Sequence, residues 1–464
     1  MKKFISLVVF AFIGLSTIMA QTDGLSSTTI PVGEIPIDPN VKIGTLPNGL
    51  TYYIRNNGKP EDKVELRLVV NAGSIMETDR QLGLAHFMEH MNFNGTKNFQ
   101  KNDLIDYLQS IGVKFGADLN AYTSFDETVY ILPIPSDDPE KLEQGFQIVE
   151  DWAHNTTLSE EAIDGERGVV LEELRLRLGA DKRMQKVTLP KIMYGSKYAD
   201  RLPIGTKENL ENFTYDDVRD YYKTWYRPDL MAVIAVGDLD IATMESKIKT
   251  HFSNIEKPEN PAKRESYELP NHEETLIAIA SDKEAAFTSV QVLYKDSFEA
   301  PPIITVNDYR EQLVKRLFST LINNRLNELR NSVNPPFVFG FSGYGGTFAR
   351  TKNAYQSFAQ TSPDGQMKTL QAILEENERV KRYGFQEGEF ERAKKRLLAN
   401  LEKQFNDRDK LESNRIVYEY IYNYLENEPI PGIAWEYEMT KSLLPTIQLT
   451  EIGALINGFL HDEN

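Results

Sequence analysis

The stretch "GLAHFMEHMNF", residues 83–93, decides how this 464-residue chain is read. Two of the chain's six histidines, His86 and His90, stand four residues apart in it, with Glu89 beside the second. Wound as an α-helix at about 100° per residue, Leu84, Phe87, Met88 and Met91 make one apolar face. His86, Glu89 and His90 then fall nearly opposite, on one face of their own. A core packed on the apolar side has no use for the imidazoles. Two histidines one helical turn apart can hold one metal ion, and a glutamate between them can reach a bound water. The alternative is a solvated polar face, so a third ligand is needed to decide.

A second segment, "ERGVVLEEL" at 166–174, offers one. On a helix, Glu166 and Glu173 are seven residues apart and share a face, whereas Glu172 points well away. Ile163, Val169, Val170 and Leu174 lie on or beside that shared face. Carboxylates on an apolar face are costly unless partnered. A metal or a ligating histidine would partner them; an ion pair from Glu173 to Arg177, one turn on, is the other reading. Two neutral imidazoles and one carboxylate make a three-ligand zinc set with a position left for water. Zinc lowers the pKa of such a water to about 7 and polarises a carbonyl, and Glu89 would take the proton and pass it to a leaving amine.

Composition narrows the classes. Apolar residues are 41% and charged residues 26%, as in an ordinary globular protein, and the length predicts two or more domains. There is no cysteine, which excludes disulfides and thiolate ligands, so any metal site must use His, Asp or Glu. The net charge is −17, or −19 once Lys2 and Lys3 are removed with the leader, and no basic run is present. Such a chain repels nucleic acid and anionic membrane and mildly attracts cationic peptides. "MKKFISLVVFAFIGLSTIMA" has two lysines, an apolar run and small residues. It reads as a signal peptide over 1–20, which predicts export to the periplasm or beyond. No stretch is long enough for a stable membrane span.

Along the chain, residues 21–40 read as an extended leader rich in Pro, Ser and Thr. "GLTYYIR" and "KVELRLVVNAGS" read as strands, and "ADLNAYTSFDETVYILPIP" as two more. Helices are expected at the His86 segment, "KNDLIDYLQSIG", "DDPEKLEQGFQIVEDWAHN", "SEEAIDGERGVVLEELRLRL" and "YDDVRDYYKTWY", with "LMAVIAVGD" a buried strand. A linker at 254–266 follows, and the pattern restarts. Strands are expected at "TLIAIASD" (275–282) and "TSVQVLYKD", a helix from Asp308 to Arg330, strands around 337–360, and helices at 365–382 and 387–427. Order repeats between the halves more than identity does. The fold class is α+β: two homologous sandwich domains, 41–255 and 256–464, each a mainly antiparallel sheet packed with helices.

H-x-x-E-H is the inverted zinc motif of the inverzincins, and the chain resembles the pitrilysin family of zinc metallopeptidases. "NAGSIMET", "NFNGTKNF", "LNAYTSFDETVY", the Glu166–Glu173 element and "YGSKYADRLPIGT" carry the likeness beyond the motif. It is strong to about residue 250 and weaker after. The resemblance implies His86, His90 and Glu173 as ligands of one zinc ion, Glu89 as general base and Glu166 beside the ligands. It also implies that peptide substrates add as a strand along Asn120, Ala121 and Tyr122. Read without it, that strand is an ordinary half-buried one.

The resemblance also breaks. Members complete the site with an arginine and a tyrosine seven residues apart, from a partner half, and here Arg330 is followed at that distance by Phe337. The strand expected to close the second domain is missing. These features predict that the chain is the N-terminal half of a doubled protein or one subunit of a pair, needing a C-terminal half or homologous partner for full activity. A zinc endopeptidase acting on peptides or unfolded polypeptides is the expected function. A non-catalytic peptide-binding or scaffolding subunit is the alternative, although such subunits usually lose the motif intact here.

Overall fold

The computed structural model describes residues 33–110 and 120–464. The expected signal peptide, the leader as far as residue 32, and residues 111–119 lie outside the described residues. The first half runs β1 (Val41–Thr45), β2 (Thr51–Asn56), β3 (Lys63–Val70), α1 (Leu84–Met91), α2 (Lys101–Ser110), β4 (Asn120–Thr123), β5 (Thr128–Pro135), α3 (Pro139–His154), α4 (Glu160–Arg177), α5 (Ala180–Ile192), α6 (Lys207–Asn212), α7 (Tyr215–Trp225), β6 (Met231–Gly237) and α8 (Ile241–Phe252). Among the described residues its six strands form one sheet in the order β1-β2-β6-β3-β5-β4, with β4 at an edge. Every pairing is antiparallel except β2 with β6.

Alternation along the strands builds two apolar layers. Leu66, Leu68, Val70, Tyr130, Leu132, Val233 and Ala235 point to one side, where α1, α3, α4 and α7 cover them with Phe87, Trp152, Val170 and Tyr221. Val69, Val129, Ala232, Ile234 and Val236 point to the other. β6 is buried at every residue, as a central strand covered on both faces must be.

The second half runs β7 (Thr288–Lys295), α9 (Val306–Arg330), β8 (Phe339–Gly346), β9 (Asn353–Thr361), α10 (Gln366–Tyr383), α11 (Glu387–Asn406), α12 (Ser413–Glu426), α13 (Ile433–Leu443) and α14 (Leu449–Phe459). Its three strands pair antiparallel in the order β7-β9-β8, and α9, α11, α13 and α14 build a separate core around Phe318 and Tyr355. The halves meet through α12. Ile416, Val417, Tyr420 and Ile421 cover the second apolar layer of the first sheet. Tyr53 stacks on Tyr420 at 5.5 Å, and the Tyr420 hydroxyl accepts a hydrogen bond from Arg55 at 3.0 Å.

Three local expectations need correction. The segment 275–282 is not a strand: it joins no sheet among the described residues. The single helix expected over 387–427 is two, because the chain turns at 407–412. There the Ser413 N–H donates to Lys59 O at 2.8 Å and Asn57 holds Leu411 O at 3.0 Å, tying the start of α12 to the β2–β3 turn. β1, placed just after the leader, was not anticipated; it is short and held by β2 alone. Phe337 is 3% exposed among Leu326, Ala359 and Ile373, a core position, while Arg330 ends α9 on the surface.

Because α12 covers the first sheet, the halves should unfold together. Ile421→Ala removes a side chain that is 1% exposed and should cost about 2–5 kcal/mol. Urea denaturation read by circular dichroism should show one transition at a lower midpoint. A first-half transition left in place while the second half shifts would contradict this.

Candidate metal centre

The N-terminus of α1 is held by a buried glutamate. Gly83 precedes the helix at φ +96°, a conformation that a side chain resists, and provides no cap of its own. Glu77, fully buried, accepts the N–H of Gly83 at 3.0 Å and of Ala85 at 2.8 Å. It satisfies donors that a helix start leaves unpaired. Burial pushes its carboxyl up to about 8, against the lowering effect of those two amides and of Arg201. Leu84, Phe87, Met88 and Met91 are all buried, and α1 presents His86, Glu89 and His90 toward α4 and β4.

α4 supplies the facing carboxylates. Ser159 caps it through the Ala162 N–H, and Ile163, Val170 and Leu174 pack into the core. Val169, expected on or beside the same face, is instead 49% exposed, because it sits on the flank turned to solvent. Glu166 is buried. Its Oε1 lies 2.8 Å from His90 Nδ1, and its Oε2 accepts Asn94 Nδ2 at 2.7 Å. Glu173 Oε2 lies 3.2 Å from His90 Nε2 and its Oε1 3.7 Å from His86 Nε2. Glu172 turns outward and pairs with Arg175 at 2.6 Å.

The ligand-type atoms of His86, His90 and Glu173 lie within 4.8 Å of one another. That spacing and donor set fit a zinc ion. With Glu166 accepting from Nδ1–H, the His90 Nε2 lone pair is left for a ligand. Glu173 is also paired with Arg177, at 2.5 Å. The ion pair considered in the sequence therefore forms, and the same carboxylate faces both imidazoles.

Charge in the site is arranged by burial and neighbours. Desolvation, with His90 alongside, lowers the pKa of His86 and keeps it neutral. His90 feels desolvation too, but hydrogen bonds to Glu166 and Glu173 overcome it and raise its pKa. The hydrogen bond to His90 holds the Glu173 carboxyl below its usual range. Burial raises the Glu89 carboxyl, and the Thr123 hydroxyl, donating to Oε2 at 2.6 Å, opposes this. Thr123 closes the edge strand β4. Ala121 and Thr123 point to the α1 side, and Tyr122 points to the α12 side. Asn120 is exposed at the strand start.

The structure brings His86, Glu89, His90, Glu166 and Glu173, each named from the sequence, into one cluster. Glu77, Asn94 and Thr123 join them without having been named from it. Asn94 stands four residues after His90, a spacing that hinted at it; Glu77 and Thr123 act across loops that no periodicity reveals.

Glu173→Gln should lose zinc, whereas Glu172→Gln should keep it, by elemental analysis after dialysis; equal content would contradict the grouping. Glu166→Gln should weaken zinc by about 10–100-fold without abolishing it. Because His90 is protonated more readily than a free histidine and must be neutral to ligate, zinc affinity should fall as pH drops from 9 to 6. A flat affinity across that range in competition titrations would contradict this.

Residues 52–197 match the family model described as Insulinase (Peptidase family M16), and residues 212–397 match that of the Peptidase M16 inactive domain. The chain is 35% identical to the zinc protease PQQL-like of Arabidopsis thaliana, over 88% of this chain and 40% of that protein. It is 33% identical to the probable zinc protease PqqL of Haemophilus influenzae, over 99% of this chain and 48% of that one. The chain thus spans about half the length of the curated relatives it matches. The crystal structure of the first half of the periplasmic protease PqqL from Escherichia coli superposes with a TM-score of 0.85 at 28% identity, covering 92% of this chain and 91% of that one. The first match contains the helices that carry H-x-x-E-H and its facing glutamates, the second follows it along the chain, and together they make the chain a member of peptidase family M16, the insulinase or pitrilysin-like peptidases.

Proposed function

We propose that the chain is the zinc-bearing half of an exported endopeptidase that cleaves peptides or unfolded polypeptides. The observation that carries this is the convergence of His86, His90 and Glu173, with Glu89 held beside them by Thr123. His86, His90 and Glu173 would hold one zinc ion per chain, which would supply Lewis acidity, lowering the pKa of a water to about 7 and polarising a carbonyl. Glu166 fixes the His90 tautomer and ring. Glu89 accepts the proton of the attacking water on a carboxylate oxygen and delivers it to the leaving amine nitrogen. Its raised pKa suits a group that must hold a proton and then release it.

The edge position of β4 supports strand addition as the mode of substrate binding. A substrate backbone lying along Asn120, Ala121 and Tyr122 runs toward Thr123, whose hydroxyl touches Glu89. Main-chain hydrogen bonds of this kind bind extended polypeptide with little regard to sequence. We divide the chain into a catalytic domain over 41–255 and a second domain over 256–464. Full activity is expected with a C-terminal half or homologous partner, since Phe337, seven residues after Arg330, is not a tyrosine and is built into a core. The leader's charge order and the periplasmic location named for the Escherichia coli protein support export. Among the described residues no helix is long and apolar enough to cross a membrane.

Glu89→Gln should retain zinc and lose about 10²–10⁴ in kcat/KM on a quenched fluorescent peptide, measured with the partner half present. Full activity in that variant would remove Glu89 from the proposed role.

A further inference from the structure

β4 presents two faces to a chain that lies along its open side. Among the described residues it ends the first sheet, with β5 on one side and no strand on the other. Ala121 and Thr123 point to the α1 side, and Tyr122 points the other way, toward α12. Residues opposite each other in neighbouring strands put their side chains on the same face, whichever way the strands run. A substrate residue opposite Thr123 therefore faces Glu89, and its neighbour opposite Tyr122 faces α12.

α12 offers that neighbour an aromatic flank. Ile416, Val417, Tyr420 and Ile421 bury against the sheet. At about 100° per residue Tyr418 and Tyr422, one turn apart, fall together beside Leu425. Asn423 lies on the opposite flank, where its Oδ1 accepts the Tyr53 hydroxyl at 2.7 Å on the β2 side of the sheet. Leu425 O accepts Arg350 at 3.2 Å, and Arg350 reaches Glu127 at 2.6 Å, so the flank of Tyr418 and Tyr422 is turned to the β4–β5 hairpin. The Tyr122 phenol is raised by burial and then by its neighbours Glu127, Tyr422 and Tyr418. The Tyr422 phenol is raised by burial and then by the carboxylates of Glu127, Glu426 and Glu428. Tyr418 and Tyr422 remain 42% and 43% exposed, so their rings are open to a ligand.

We propose that Tyr122, Tyr418 and Tyr422 form a subsite for a basic side chain, lysine or arginine, carried by the substrate residue that lies opposite Tyr122. Ring faces attract a cation and pack along the aliphatic stem that carries it. The carboxylates around the rings favour the same charge. Glu127 is paired with Arg350, which also lies 3.9 Å from Glu426, and Glu428 forms no ion pair among the described residues. In these pairs one guanidinium answers three carboxylates, and a substrate cation adds to the positive side. Strand addition alone is indifferent to sequence; a pocket for an alternate side chain turns it into a preference. The subsite also gives the second half a part in substrate choice, because two of its three rings stand on α12. The inference rests on the strand addition proposed at β4.

The test is peptide binding to the Glu89→Gln chain, chosen so that the ligand is not consumed, read by fluorescence anisotropy. One labelled peptide is neutral except for a single central arginine; in its control citrulline, uncharged and of the same size, replaces the arginine. The arginine peptide should bind about 3–10-fold more tightly. Tyr418→Ala together with Tyr422→Ala should erase that difference, with the fold checked by circular dichroism. Phenylalanine at both positions should keep it, since the rings remain. Methylating alternate backbone nitrogens of the arginine peptide should abolish binding, because a methylated nitrogen cannot donate to β4. If methylation is without effect, the strand reading has failed and the subsite falls with it. If methylation abolishes binding but arginine and citrulline peptides bind alike, or the double alanine variant keeps the preference, strand addition stands and the subsite is overturned.

Discussion

The 2.8 Å contact between His90 Nδ1 and Glu166 Oε1 is the interaction on which the site depends. It joins two helices separated by a long stretch of sequence, and it decides which nitrogen of His90 is free. Everything near it serves that junction. Glu77 fixes where α1 begins, Asn94 holds the second oxygen of Glu166, and the buried residues of α4 set its rotation so that Glu173 arrives beside both imidazoles. Without a partner, Glu166 would be a buried carboxylate at several kcal/mol of cost. With His90 it becomes a rigid support, which a metal site needs because ligands must be held before the ion arrives.

The sheet explains why the support is stiff. β6 and β3 are buried on both faces, one by the helices that carry the site and one by α12 from the second half. The second half thus reinforces the first sheet from behind. Arg350, in the turn before β9, extends this: it reaches Asn71 at 3.0 Å and Glu127 at 2.6 Å, next to the hairpin that carries β4. The edge strand proposed to bind substrate is therefore braced by a residue from the other half.

Much of this was legible in the sequence, for physical reasons. The two helix faces could be read because the apolar and ligand positions obey a 3.6-residue period, and the choice of Glu173 over Glu172 follows from the same period. The alternation of "LNAYTS" and its neighbours gave β4 and β5. What escaped was non-local. The capping of α1 by Glu77 runs through a loop, and the hydroxyl of Thr123 meets Glu89 across the fold. The break between α11 and α12 depends on contacts with the β2–β3 turn some 350 residues earlier in the chain. The strand expected at 275–282 has the right alternation, but a strand exists only when a neighbour accepts its hydrogen bonds.

X-ray absorption at the zinc edge of the purified protein tests the central claim most directly. Two imidazole nitrogens and one carboxylate oxygen at about 2.0–2.2 Å, with the outer-shell scattering of two imidazole rings, are the predicted result. A zinc ion with one imidazole or none, or a protein that takes up no zinc while folded, would contradict it.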